Sequence, residues 1–213
     1  MIFKKNTIII RNLGITYWKN IFDSMNVFTD IRNNNTLDEI WFVEHYPIFT
    51  QGQIEYNKKE QYIKKIPVVH SNRGGKITYH APGQQIVYFL LDLKRLKINI
   101  KTLLFLMETV ILETLYKFSI YANNKKKNPG IYVKNKKICS IALRIKRGCC
   151  LHGFALNISI NLKPFTYIHP CGDSNIIMTK MDIYNKNATI CTVYKVLIEQ
   201  IELFFNCHCI VIS

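Results

Sequence analysis

GIYVKNKKICSIALRIKRGCCLHGFALNISIN, residues 130–161, is the stretch whose reading decides the fold. Residues 130–133 (GIYV) and 138–145 (ICSIALRI) are apolar, β-branched runs on either side of Asn135-Lys136, the composition of a hairpin closed by a tight turn. Residues 150–161 supply a further strand. Working outward, 6–11 (NTIIIR), 39–45 (EIWFVEH), 67–71 (PVVHS) and 85–93 (QIVYFLLDL) also read as strands. Helical spacing is expected over 15–32. It recurs from residue 100, where Leu103, Leu104, Met107, Val110, Ile111, Leu115 and Phe118 share one face. A last helix near 189–206 carries Ile190, Val193, Val196, Leu197, Ile201 and Phe204. Strands outnumber helices and the two intermix, so the expected fold is α/β of the α+β type, a mixed sheet with helices packed on it. One domain over residues 1–213 accounts for the length, and no internal repeat is visible.

Composition narrows the class. Hydrophobic residues make up 48% of the chain, which supports a packed core rather than a disordered chain. The longest apolar stretch, Leu103 to Leu115, is interrupted by Glu108 and Glu113, so no membrane span is expected. Only Ile8 to Ile10 follow the lysines at 4 and 5 before Arg11, too short an apolar run for a secretory signal, and a cytoplasmic location is expected. An odd count of seven cysteines then argues for reduced thiols, not a disulfide framework. Neither Cys207-His208-Cys209 nor Cys149, Cys150 and His152 has the paired spacing of a structural zinc site, so no metal is expected. The formal charge of +15 favours encounter with an acidic macromolecule. Its lysines are dispersed, apart from Lys125 to Lys127, so the charge is weak evidence for nucleic-acid binding.

Three places can carry chemistry. In Arg73-Gly74-Gly75-Lys76-Ile77-Thr78-Tyr79-His80, two glycines beside a cation let backbone approach a ligand closely, and the same residues also suit a plain turn between strands. Cys171 lies in His169-Pro170-Cys171-Gly172, a polar loop bounded by proline and glycine, unlike Cys139 and Cys191, which fall in apolar strand and helix patterns. It is the nucleophile candidate, with an unreactive loop thiol as the alternative. Lys137, read alone, is a solvated charge at a hairpin.

Four segments in order resemble the octanoyltransferases of lipoate biosynthesis, the lipoyl(octanoyl) transferase family. They are VEHYPIFTQG (43–52), RGGKITYHAPGQQIVYFLLDLKR (73–95), residues 130–165, and HPCG (169–172). The resemblance implies the fold of lipoate-protein ligases and of the biotin protein ligase catalytic domain. It implies Cys171 as the acyl-bearing nucleophile, with Lys137 lowering the thiol pKa and moving protons. It further implies an acyl pocket lined by residues 73–80 (Arg73, Gly74, Gly75, Lys76, Ile77, Thr78, Tyr79, His80), by Ser140, Ile141 and Ala142, and by Gly153, Phe154 and Ala155, with His80 and His152 nearby. The donor would be octanoyl-acyl carrier protein. The acceptors would be lipoyl domains of 2-oxoacid dehydrogenase complexes and the glycine cleavage H protein. Neither ATP nor metal, no nucleic-acid partner and a monomer are expected. Ala142, where the family more often has glycine, and Asp173-Ser174-Asn175 depart from its pattern. Two other readings are an ATP-dependent lipoate-protein ligase, which needs no cysteine, and a basic nucleic-acid-binding module. A papain-like hydrolase would need a cysteine signature that this chain lacks.

Overall fold

The computed structural model describes residues 6–54, 61–125, 129–170 and 175–212. Among them an eight-stranded mixed sheet comprises β1 (Asn6–Thr16), β2 (Asp38–His45), β7 (Gln84–Leu90), β8 (Asn123–Asn124), β9 (Ile131–Val133), β10 (Lys136–Lys146), β11 (Cys149–Asn157) and β12 (Cys207–Ile212), in the order β12-β1-β2-β7-β11-β10-β9-β8. β1 runs parallel to both β2 and β12, and every other neighbouring pair is antiparallel. Parallel neighbours need a long crossover, which α1 (Trp18–Ile31) supplies between β1 and β2. A smaller sheet, in the order β4-β5-β3-β6, holds β3 (Ile48–Gln51), β4 (Tyr62–Ile63), β5 (Ile66–His70) and β6 (Thr78–His80).

Strand periodicity divides the interior. After β7 comes the short α2 (Leu93–Leu96), and Val87 and Phe89 of β7 join Phe42, Phe154 and Leu156 against two longer helices, α3 (Ile100–Lys117) and α4 (Ile190–Phe204). Their neighbours Ile86, Tyr88 and Leu90 point the other way and meet Trp41, Ala155 and the α1 residues Ile21 and Met25. Covered on both faces, β7 is buried at every position, which is why its sequence is a continuous apolar run. The helical stripe expected from residue 100 is the buried face of α3: Leu103, Met107, Val110, Ile111 and Leu115 all lie inside. That helix starts where the Asn99 side chain accepts from the Thr102 amide. α4 starts at a Thr189–Thr192 capping box. No helix among the described residues is long and apolar enough to cross a membrane.

Three expectations are corrected. The hairpin between β9 and β10 turns at Lys134-Asn135, one residue earlier than Asn135-Lys136: Val133 faces Lys136, and Lys134 and Asn135 have φ of 46° and 67°. A two-residue turn of type I′, whose twist matches the strands, needs both central residues at positive φ, and the side-chain identities there do not reveal it. β1 continues through a bulge near Gly14 to Thr16, so α1 begins at Trp18 instead of 15. Cys191, placed by its apolar surroundings inside, is exposed in the first turn of α4, whereas Cys139 is buried.

Gly153 on β11 is held tightly between strands. A Cβ there would collide with the Val87 carbonyl and come within 2.9 Å of the Phe89 ring. Gly153→Ala should therefore lower the unfolding free energy by about 1–3 kcal/mol in urea denaturation. Phe105→Ala, on the exposed side of α3, should stay within about 0.5 kcal/mol.

Candidate active site

A cavity of about 540 Å³ opens beside the antiparallel half of the large sheet. Its floor includes Ile86 and Tyr88 of β7 and Gly153, Phe154 and Ala155 of β11. Ser140, Ile141, Ala142 and Leu143 of β10 form one wall, and the loop Arg73–Thr78 with His80 forms another. Trp18, Ile100 and Leu104 close it with apolar surface, and Pro129 and Lys137 lie at its edge. Tyr79 is the exception among the expected pocket residues. Strand alternation in β6 turns it into the cluster of the smaller sheet, where its ring lies 5.2 Å from Phe49 and 5.5 Å from Phe165. Trp18, Ile86, Tyr88, Ile100 and Leu104 were not legible as lining residues, since each belongs to an ordinary apolar pattern and only packing brings it to the cavity.

The glycine loop is braced from within. The Arg73 guanidinium donates to the carbonyls of Gly74 (2.9 Å), Lys76 (2.8 Å) and Thr50 (2.7 Å), closing the loop around its own side chain. Gln53 and Ile54 donate to Arg73 and Gly75 carbonyls, and the Gly74 amide reaches Leu143 of β10 at 3.2 Å. A side chain at Gly52 would strike the Gly75 carbonyl, so this crossing requires glycine. Ala142 sits directly across from Gly153 in the β10–β11 ladder, which places its methyl against a residue without a side chain.

Lys137 is not the solvated charge its local sequence suggests. It is 1% exposed, an unusual state for lysine. Its Nζ donates to the Pro129 carbonyl at 2.8 Å and stands 5.7 Å from the centre of the Tyr132 ring. Gly130, at φ 139°, leaves room for the lysine stem, since a Cβ there would collide with Lys137 Cε. The lysine backbone is fixed by a parallel bridge to Met178: its N–H donates to Ile177 O at 2.7 Å, and Thr179 N–H donates to its carbonyl at 2.8 Å. Cys171 and Gly172 lie outside the described residues, as do Asp173 and Ser174. On either side of them in sequence, Ile168 and Met178 are packed in one cluster with Phe49, Tyr79 and Phe165. Cys207 and Cys209 sit with sulfurs 3.8 Å apart, while His208 between them faces Glu202. Among the described residues no group of three His, Cys, Asp or Glu side chains is placed to hold a metal.

Three buried histidines surround Tyr88 and the loop. His45 donates from Nδ1 to Thr16 O and accepts from the Tyr88 hydroxyl at Nε2 (2.9 Å). His80 donates from Nδ1 to Gln84 Oε1 at 2.7 Å, and His152 donates from Nε2 to Asn72 Oδ1 at 2.6 Å. Burial holds all three neutral, with pKa values down to about 4 for His45 and about 3 for His80 and His152. Repulsion from His45 and Arg73 adds to the effect at His80, and repulsion from Arg73 and Arg144 adds to it at His152. The same burial pushes the Tyr88 hydroxyl up.

Because these folded-state values lie below the ordinary 6.5, the unfolded chain binds more protons below that pH. Their contribution to stability is complete above pH 6.5 and declines as the pH falls toward the folded values. Each histidine should cost about 1.4 kcal/mol per pH unit within that window. Urea unfolding at pH 7.5 and at pH 5 should show the loss, with a shallower slope in His152→Gln.

The comparisons with known proteins agree with this architecture. Residues 22–202 match the family model of the lipoyl protein ligase A/B catalytic domain. An octanoyltransferase of Buchnera aphidicola subsp. Acyrthosiphon pisum is 55% identical over 203 residues, which is 95% of this chain and 96% of that protein. In three dimensions the chain resembles a lipoate-protein ligase A solved with bound ATP, with a TM-score of 0.77 at 15% identity over 98% of this chain and 90% of the other. The biotin protein ligase of Aquifex aeolicus in complex with biotin and ATP is more distant, with a TM-score of 0.55 at 13% identity over 95% and 71%. Matched along most of its length in both sequence and fold, the chain belongs to the lipoyl protein ligase A/B catalytic domain family.

Proposed function

We propose that this enzyme transfers an octanoyl group from an acyl carrier protein thioester to a lysine of a lipoyl domain, through an acyl thioester on Cys171 with Lys137 as its partner. The observation that carries the reading is a fully buried lysine at the edge of a largely apolar cavity, in a chain 55% identical to an octanoyltransferase. The cavity walls suit a hydrocarbon chain, and the braced loop 73–76 offers backbone close to its head.

In the first half-reaction the Cys171 thiolate attacks the octanoyl thioester carbonyl. The bond from that carbon to the carrier's sulfur breaks, and the departing thiolate takes a proton from Lys137 Nζ. In the second, the acceptor lysine amine attacks the acyl-cysteine, Cys171 leaves as thiolate, and Lys137 receives the proton lost by the amine. A cation beside the sulfur favours the thiolate in both steps. The oxyanion would be met by backbone amides along Ser140–Ala142: β9 pairs with β10 only as far as Cys139, so beyond it no strand among the described residues covers that edge. A thioester donor is already activated, so the reaction needs neither ATP nor a metal.

Lipoyl domains of 2-oxoacid dehydrogenase complexes and the glycine cleavage H protein are the proposed acceptors. The charge of +15 suits both an acidic carrier and acidic acceptors. With these partners the proposed setting is a monomer in the cytoplasm. The alternative, an ATP-dependent lipoate-protein ligase, draws on the likeness to a ligase solved with ATP.

Intact-protein mass spectrometry after incubation with octanoyl-carrier protein and no ATP separates the two. Wild type should gain one octanoyl group that a lipoyl domain then removes. Cys171→Ala should gain none, and Lys137→Met should acylate about 100-fold more slowly or worse. If wild type stays unmodified yet transfers octanoate once ATP is added, the relay is wrong and the ligase reading replaces it.

A further inference from the structure

A line of buried polar groups joins the glycine loop to the backbone of Lys137, and its donors all run in one direction. Arg73 donates to Thr50 Oγ1 at 3.0 Å, so the single hydroxyl proton of Thr50 goes to His80 Nε2 at 3.2 Å. His80 then donates from Nδ1 to Gln84 Oε1. Gln84 Nε2 donates to Asn157 Oδ1 at 2.8 Å, and Asn157 Nδ2 donates to Thr179 O at 2.9 Å. The Gln84 amide is further oriented by donation to Tyr79 O. Every member is buried, yet Gln84, Asn157 and Thr179 do not line the cavity. Contact with a substrate therefore does not explain them.

Strand geometry shows what they accomplish. Asn157 is the last residue of β11, and β11 pairs with β10 only from Leu156 opposite Cys139 onward. Two residues earlier on β10, at Lys137, the place beside the strand is taken by residues 177–179. The Asn157 amide spans that exchange, accepting from β7 through Gln84 and donating to the incoming segment at Thr179.

We propose that Asn157 is a positioning residue for Lys137: its amide fixes residues 177–179 against the lysine backbone and, through Gln84 and His80, keeps the lysine in register with the Arg73 loop. The inference rests on the role proposed above for Lys137 and adds the group that places it. Because each amide must both accept and donate in a set sense, one substituted oxygen leaves two acceptors facing each other.

The test measures two rates in Asn157→Asp, which is isosteric but cannot donate to Thr179 O when ionised. One is single-turnover acylation of Cys171 by octanoyl-carrier protein, and the other is alkylation of Cys171 by iodoacetamide at pH 7. Lys137→Met is run in parallel. Acylation at saturating carrier should fall about tenfold or more, as misplacement of a catalytic group predicts. The half-saturating carrier concentration should stay within about twofold, because substrate contacts are untouched. Alkylation should slow in the same sense as in Lys137→Met. Should Asn157→Asp not fold, Gln84→Glu leaves Asn157 in place but removes the donor to it, and the same pattern is expected in milder form. A folded variant with both rates at the wild-type level, while Lys137→Met slows both, overturns the positioning role. If Lys137→Met slows neither, the catalytic pair is wrong and the inference falls with it.

Discussion

Burial of the Lys137 side chain is the constraint from which the rest of the site follows. An ammonium taken from water must regain acceptors, or its burial costs several kcal/mol. Pro129 supplies a carbonyl and Tyr132 the face of a ring, both from the segment leading into and through β9. Gly130 is the residue that lets the lysine stem cross the backbone at all. The lysine is thus held by its neighbour across the hairpin on one side and by residues 177–179 on the other. A lysine with this little freedom can act on a partner only if that partner comes to it, and the chain that follows Cys171 in sequence is the one fastened alongside.

The opposite wall of the cavity solves a different problem. Arg73 could have dominated the site as a second cation, but its donors are directed to the carbonyls of its own loop and to Thr50. The three nearby histidines are kept neutral chiefly by burial, each with a hydrogen-bond partner that fits one tautomer. Protonating His80 or His152 would place another positive charge near Arg73. Beside Lys76, this wall consequently adds neutral rings and oriented dipoles to the apolar lining, a surface suited to an acyl chain and a thioester carbonyl.

The sheet places these walls. Strands of both its parallel and antiparallel parts contribute to the large core, while the antiparallel strands β7, β11 and β10 also carry the cavity. Antiparallel pairing permits tight turns and strand ends that stop short, and such an end, at Asn157, lets a later segment reach Lys137. The central strand β7 contributes to both sides, with Val87 and Phe89 in the core and Ile86 and Tyr88 in the cavity floor.

By itself the sequence determined the mixed α/β class, three helices expected over 15–32, from 100 and near 189–206, and strands at 39–45, 85–93 and 138–145, although it set the first helix three residues early and ran the second strand past Leu90. Each is long enough, or apolar enough, for its period to show. The motif segments likewise marked Arg73–His80, Ser140–Ala142 and Gly153–Ala155 as one set. Short strands such as Thr78–His80 and Asn123–Asn124 could not be read, because two or three residues define no period. Tyr79 shows the same limit, since one step of strand alternation removes it from the cavity. Only the tertiary structure decided that Lys137 is buried, that Trp18 and Ile100 close the cavity, and that Asn157 bonds to Gln84 and Thr179. Those relations join residues tens of positions apart, and a local pattern holds no record of which distant group will meet a side chain once the sheet has formed.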